Sequence, residues 1–118
     1  MQVKIQNVYQ VTRDMGRSLG FYRDLLGMNM KFQDGTNWAQ LDAQGARFAL
    51  ASPEEAGAAA RSNTVIVFEV DDLAAARAAL EGAGAPILAS RDMGSHGSTI
   101  TSQDPDGNVI QFFARPPA

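Results

Sequence analysis

Residues 14–27 read DMGRSLGFYRDLLG, and both ends of a helix are written into them. Asp14 supplies a short side-chain acceptor where the first turn needs a cap. Met15, Leu19, Tyr22 and Leu26 follow at spacings of four, three and four, which places them on one apolar helical face. Gly27 stands where the chain must leave the helix, in the left-handed conformation. Gly16 and Gly20 weaken such a helix by up to about 1 kcal/mol each relative to Ala. Close approach to a sheet is the compensation expected.

Outward from this helix the chain alternates strand and turn signals. Residues 3–12, VKIQNVYQVT, are rich in β-branched side chains and predict a strand. Strands are expected near 28–33, 37–42 and 46–51, separated by Asp34-Gly35 and Gln44-Gly45. The stretch 52–63, SPEEAGAAARSN, has no strand pattern and reads as a linker or a short Ala-rich helix. Then the order restarts. Residues 64–70, TVIVFEV, predict a strand, and Asp71 and Asp72 cap a helix in which Leu73, Ala76, Leu80 and Ala83 share a face. Gly82 or Gly84 ends it. Strands near 86–90, 97–103 and 108–114 follow, the last two joined by Asp104-Pro105-Asp106-Gly107-Asn108, strong turn chemistry. A shift of 58 places Val11 on Glu69, Asp14 on Asp72 and Met15 on Leu73. The expected fold is α+β: a single domain over 1–118, with module one at 1–51, a linker at 52–63 and module two at 64–118.

Composition narrows the chemistry. With 45% apolar residues and 19% charged in 118 residues, the chain can build a core. It has no cysteine, which removes disulfides, thiolate nucleophiles and thiolate zinc clusters together. A reducing cytoplasm fits that usage. A net charge of −3 offers no electrostatic footprint for nucleic acid. No apolar run is long enough to span a membrane, and the N-terminal residues have no secretory h-region. A single histidine limits both proton transfer and metal binding.

Three pieces together resemble the vicinal oxygen chelate superfamily, which includes glyoxalase I, extradiol dioxygenases and bleomycin-resistance proteins. They are Asp14 to Gly27, close to the pattern DxxRSxxFYxxxLG; Phe68-Glu69-Val70-Asp71-Asp72-Leu73, close to FxVDDL; and the DPDGN turn at 104–108. The resemblance implies two tandem βαβββ modules forming a U-shaped mixed sheet around a cavity. Enzymes of that family hold a divalent metal through four side chains. The corresponding positions are Asn7, Ala49, Val65 and Gln111. Alanine and valine carry no donor atom, and neutral amides are poor anchors without an anionic partner. The expectation is therefore no metal and no cofactor.

Strand alternation selects the side chains that share a face with those positions. Tyr9 and Val11 accompany Asn7, Arg47 accompanies Ala49, Val67 and Glu69 accompany Val65, and Val109 and Phe113 accompany Gln111. Such a wall, apolar with scattered polar points, has the composition of a small-molecule pocket; it also suits a core or a dimer seam. Trp38, the only tryptophan, either stacks on a planar ligand or belongs to the core, with core slightly favoured. Arg47 pairs either with Glu69, the preferred reading, or with a ligand carboxylate. His96 lies in a loop with glycines near it and a serine on each side, a surface position or a ligand contact.

The candidate ligand-binding residues are thus Asn7, Tyr9, Trp38, Arg47, Val65, Val67, His96, Gln111 and Phe113. The expected function is metal-independent binding of an apolar or aromatic small molecule, as in bleomycin-resistance-type proteins, with antibiotic resistance the implied role. The alternative is a lyase, isomerase or dioxygenase with an atypical or missing metal site, in which Tyr9, His96 and Glu69 are the acid–base candidates. An interaction role, with side chains filling the cavity, is the third. The partners expected are a small-molecule ligand and a second copy of the chain, with neither nucleic acid nor membrane.

Overall fold

The computed structural model describes residues 1–2, 4–56 and 64–117. The chain divides into two compact units, Met1–Ser62 and Asn63–Ala118. Each is a βαβββ module with its own four-stranded mixed sheet, so the fold is α+β with two tandem modules. Of the stretch 52–63, Pro53–Ala56 form a single helical turn (α2), and 57–63 lie outside the described residues.

In the first module, β1 (Val8–Val11) leads to α1 (Met15–Leu19), and β2 (Asn29–Asp34), β3 (Trp38–Ala43) and β4 (Ala46–Ala51) follow. The sheet order is β1-β4-β3-β2, with β1 parallel to β4 and the other pairs antiparallel. Parallel pairing of β1 with β4 requires the crossover that α1 provides. Asp14 caps α1, accepting from the Arg17 N–H at 3.0 Å. A buried hydroxyl pair, Thr12 and Ser18 at 2.7 Å, ties the end of β1 to the same helix.

From Gly20 to Leu25 the helix widens into π-type turns, and Leu26 N–H donates to the Phe21 carbonyl five residues back at 2.9 Å. Widening rotates the later residues backward around the axis. Phe21 is therefore buried beside Tyr22, while Leu26 is only half-buried, where regular spacing had predicted a core position. Gly27, at φ +77°, ends the helix where the sequence placed its stop.

The first strand is shorter than expected. It begins at Val8, with Val8 opposite Phe48, and leaves Asn7 outside the ladder. Residues 4–6 are exposed and pair with no strand, so burial does not reward extending them. Residue 3 lies outside the described residues.

The second module repeats the plan with β5 (Ile66–Glu69), α3 (Leu73–Gly82), β6 (Ile87–Asp92), β7 (Ser98–Gln103) and β8 (Val109–Ala114), in sheet order β5-β8-β7-β6. Asp72 caps α3 through the Ala75 N–H at 3.0 Å. Leu80 is buried, Leu73 and Ala76 are half-buried, and Ala83 is exposed just past the helix end. β5 also starts late, so Val65 lies before it and is exposed. The DPDGN turn is organised by buried Asp104. Its Oδ1 accepts from the Asp106 and Asn108 backbone N–H groups, both at 2.9 Å, and its Oδ2 accepts from Asn108 Nδ2 at 2.8 Å.

Both modules carry a β-bulge at the same place on their outer strand, at Lys31 between Met30 and Phe32, and at Leu88 between Ile87 and Ala89. A bulge adds one residue and reverses which face the rest of the strand presents. The shared bulge supports the internal repeat more firmly than the residue identities do. No helix among the described residues is long and apolar enough to cross a membrane.

Candidate functional site

Each sheet has one face packed on its helix and one face turned away from it. In module one, Phe48 contacts Tyr22 of the helix at 4.7 Å between ring centroids, which assigns Phe48 and its row partner Leu41 to the helix face. Ala49 and Ala51 therefore project from the opposite face, as do their register partners Tyr9, Gln40 and Trp38.

Between Tyr9 and Trp38 the central strand β4 contributes only the methyl groups of Ala49 and Ala51. Tyr9 from β1 and Trp38 from β3 reach toward each other and meet edge to face, 5.3 Å between centroids at 62°. Trp38 Nε1–H donates to Gln40 Oε1 at 3.1 Å, and Trp38 is half-buried. Trp38 is thus not a core residue under the helix, as the sequence had slightly favoured; it furnishes the face opposite, where alternation alone had left its side undecided. The bulge at Lys31 brings Phe32 to this same face, opposite Gln40, and Phe32 is 55% exposed.

Module two fills the same rows differently, with smaller side chains on the flanking strands where module one has its aromatic rings, and with Gln111 and Phe113 on the central strand where module one has alanines. Val67, Gln111, Thr101 and Ala89 form one continuous row across β5, β8, β7 and β6, the counterpart of Tyr9, Ala49, Gln40 and Phe32. The next row is Glu69, Phe113, Thr99 and Arg91. Where module one places Trp38, module two places Thr99, and where module one places Phe32, module two places Ala89. The result is a hollow of about 400 Å³ over this face. Ser90 and Met93 complete its lining. Gln111 Nε2 donates to Thr101 Oγ1 at 3.2 Å, which holds the amide on the floor. The bulge at Leu88 decides this geometry. With regular pairing Leu88 would face Thr101 and Arg91 would turn to the helix side; with the bulge, Ala89 and Arg91 face the hollow.

The residues expected to bind ligand belong to both modules. Val67 and Gln111 line the hollow. Phe113 is half-buried in the adjacent row, against Gly97. A Cβ at Gly97 would lie 2.5 Å from the Ala114 carbonyl oxygen and 2.6 Å from the Phe113 ring, at φ +92°, so only glycine fits there. Tyr9 and Trp38 furnish the equivalent face of module one. Asn7 and Val65 lie outside their strands. His96 is exposed on a single 3₁₀ turn, Gly94–His96.

Arg47 is exposed, and Glu69 Oε2 accepts from Arg115 Nε of its own module at 3.1 Å. Arg115 directly follows β8, whose Phe113 pairs with Glu69, and this sets its guanidinium against the carboxylate. Residues that sequence reasoning missed are Ala89, Arg91, Thr99 and Thr101. Alternation within 98–102, Ser-Thr-Ile-Thr-Ser, was the available signal for the two threonines.

The positions at which the resemblance implies metal ligands do not suit a metal. Ala49 is a fully buried methyl group, Val65 is aliphatic, and the Gln111 amide is engaged with Thr101. Among the described residues no group of three His, Asp or Glu side chains gathers as a metal centre requires.

A family model described as the Glyoxalase/Bleomycin resistance protein/Dioxygenase superfamily matches residues 4–112. An uncharacterised protein of Mycolicibacterium smegmatis is 27% identical over 111 residues, covering 94% of this chain and 93% of its own. Among solved structures, lactoylglutathione lyase from Agrobacterium tumefaciens superposes with a TM-score of 0.77 at 18% identity, covering 96% of this chain and 94% of that one. The fosfomycin resistance protein FosX from Listeria monocytogenes, complexed with Mn(II) and sulfate ion, gives 0.79 at 12% identity, covering 98% and 93%. A glyoxalase/dioxygenase from Nostoc punctiforme gives 0.77 at 17% identity, covering 97% and 92%. At these identities the structural likeness is one of fold.

Proposed function

The chain belongs to the Glyoxalase/Bleomycin resistance protein/Dioxygenase superfamily, and on that premise we propose that it is a metal-independent binding protein for a small, partly apolar molecule. The observation that carries this reading is the hollow of module two, about 400 Å³, which opens where Val67, Ala89 and Thr99 stand in place of the aromatic rings of module one. Its volume is that of a small-ligand site, and its lining mixes apolar walls with a few placed polar groups.

The replacement of carboxylates and imidazoles by Ala49, Val65 and Gln111 favours binding over the metal-assisted chemistry of the family's enzymes. The acid–base candidates add little to a catalytic reading. Glu69 is held by Arg115, and His96 stands exposed on its turn. Sequestration of the ligand, with or without a resistance role, is the function proposed, and the working form is a homodimer. Exposed Phe32 supports the second copy, because an apolar side chain left on a sheet face favours burial against another surface.

A thermal-shift screen of metal-stripped protein with a diverse fragment panel tests the binding reading. Binding to the native state raises the melting temperature by linkage, by about 2.7 kcal/mol of added stability at a hundredfold excess over Kd. The hits should perturb the amide signals of Ala89, Thr101 and Gln111. A panel without a single hit, or hits that leave those three signals unmoved, sinks the assignment of the hollow.

A further inference from the structure

We propose that the module-two hollow reads a carboxylate, with Arg91 as its anchor, so that the ligand is a small amphipathic monoanion. This rests on the hollow being the binding site. Arg91 is the charged side chain among those lining it, and among the described residues it makes no ion pair.

The neighbouring carboxylates are engaged elsewhere. Asp92 Oδ1 accepts from the Gly94 backbone N–H at 2.8 Å, and Glu69, at the far end of the Arg91 row, holds Arg115. Thr99 is the register partner of Arg91 and lines the same hollow, so its hydroxyl is a second polar group for the ligand's head. Thr101 accepts from Gln111, which leaves its own hydroxyl proton to be donated to a ligand.

The row from β6 to β5 spans three strand spacings, about 14 Å, and ends on Val67. An anionic head at Arg91 and Thr99 therefore places the rest of the ligand over Ala89, with Thr101 and Gln111 as polar points between Ala89 and Val67. A guanidinium forks onto a carboxylate through two parallel N–H bonds. One cation balances a monoanion, and a phosphate dianion calls for more positive charge than the lining holds. The bulge at Leu88 is what turns Arg91 to this face, so the selectivity is a product of backbone register.

The test uses phenylbutyrate and naphthylacetate with their carboxamides as uncharged matches, titrated into the full chain at neutral pH by calorimetry and NMR. The acids should bind about tenfold more tightly than the amides, the lower end expected for a charged hydrogen-bonding group that stays partly in water. Arg91→Gln should reduce acid affinity to that of the amides and leave the amides unmoved. Arg91→Lys, which keeps the charge without the fork, should recover part of the preference. Ala89→Trp should abolish binding of both. Each variant is first shown to melt as the parent does. Acids and amides of equal affinity, lost together in Ala89→Trp, would overturn the carboxylate proposal and leave the hollow as a site. Binding that survives Ala89→Trp, or absence of binding by every probe, would overturn both.

Discussion

Tyr9 and Trp38 meet because Ala49 and Ala51 lie between them. A larger residue at either alanine would hold the rings apart, so the aromatic pair of module one depends on two methyl groups of the central strand. This sets the expected cost of removing Trp38. The ring is half-buried and keeps one edge contact, worth about 0.5–1.5 kcal/mol beyond its apolar area. Trp38→Ala should therefore cost about 1–2 kcal/mol in urea unfolding, below the roughly 3–5 kcal/mol of a fully buried Trp. The fold should survive. A loss of 3 kcal/mol or more would mean that the face opposite the helix is itself core. If Trp38 adjoins ligand, its fluorescence should respond to probes that bind; an unchanged affinity in well-folded Trp38→Ala removes it from the site.

At the scale of elements, caps, bulges and one turn do most of the specifying. Asp14 and Asp72 start equivalent helices by the same hydrogen bond, each at 3.0 Å, and a cap of this kind contributes about 1 kcal/mol. The DPDGN turn depends more heavily on a single side chain. Buried Asp104 accepts the Asp106 and Asn108 N–H groups and the Asn108 amide, and so fixes the entry into β8. Asp104→Ala leaves these donors without their acceptor and should cost about 2–3 kcal/mol, read as a lowered urea midpoint with an unchanged slope. Because β8 supplies Gln111 to the hollow, the same variant should weaken probe binding. A variant as stable as the parent would show that the turn sequence alone holds the loop.

For the whole molecule, two expectations concern what joins it from outside. No anion stands at Ala49, Val65 or Gln111, so excess EDTA should leave the melting temperature unaltered. A fall of several degrees would reveal a structural metal. Phe32, 55% exposed on the sheet face of module one, should be covered by a second copy. Sedimentation at micromolar concentration should give twice the chain mass. A species of single-chain mass contradicts the homodimer.

The sequence by itself determined the element order, both helix caps, the turn chemistry and the internal repeat, because each depends on residues within a few positions of one another. Residues 46–51 were read as a strand with the bounds of β4, and Asp14, Asp72 and Gly27 act where local chemistry assigned them. The candidate site was legible only in part. Gln111 was found through the family resemblance and Val67 through alternation from it, while Ala89, Arg91, Thr99 and Thr101 were not found. The bond between Glu69 and Arg115 was not foreseen either, although both belong to the same module. Only the tertiary structure decided which side chains share a row, since register is a relation between strands distant in sequence. One extra residue at Leu88 then reverses every side chain after it. That reversal exchanges Leu88 for Ala89 on the floor and brings Arg91 to the hollow. A local pattern carries no record of such a bulge, because its cause is the fit of one strand against its neighbour.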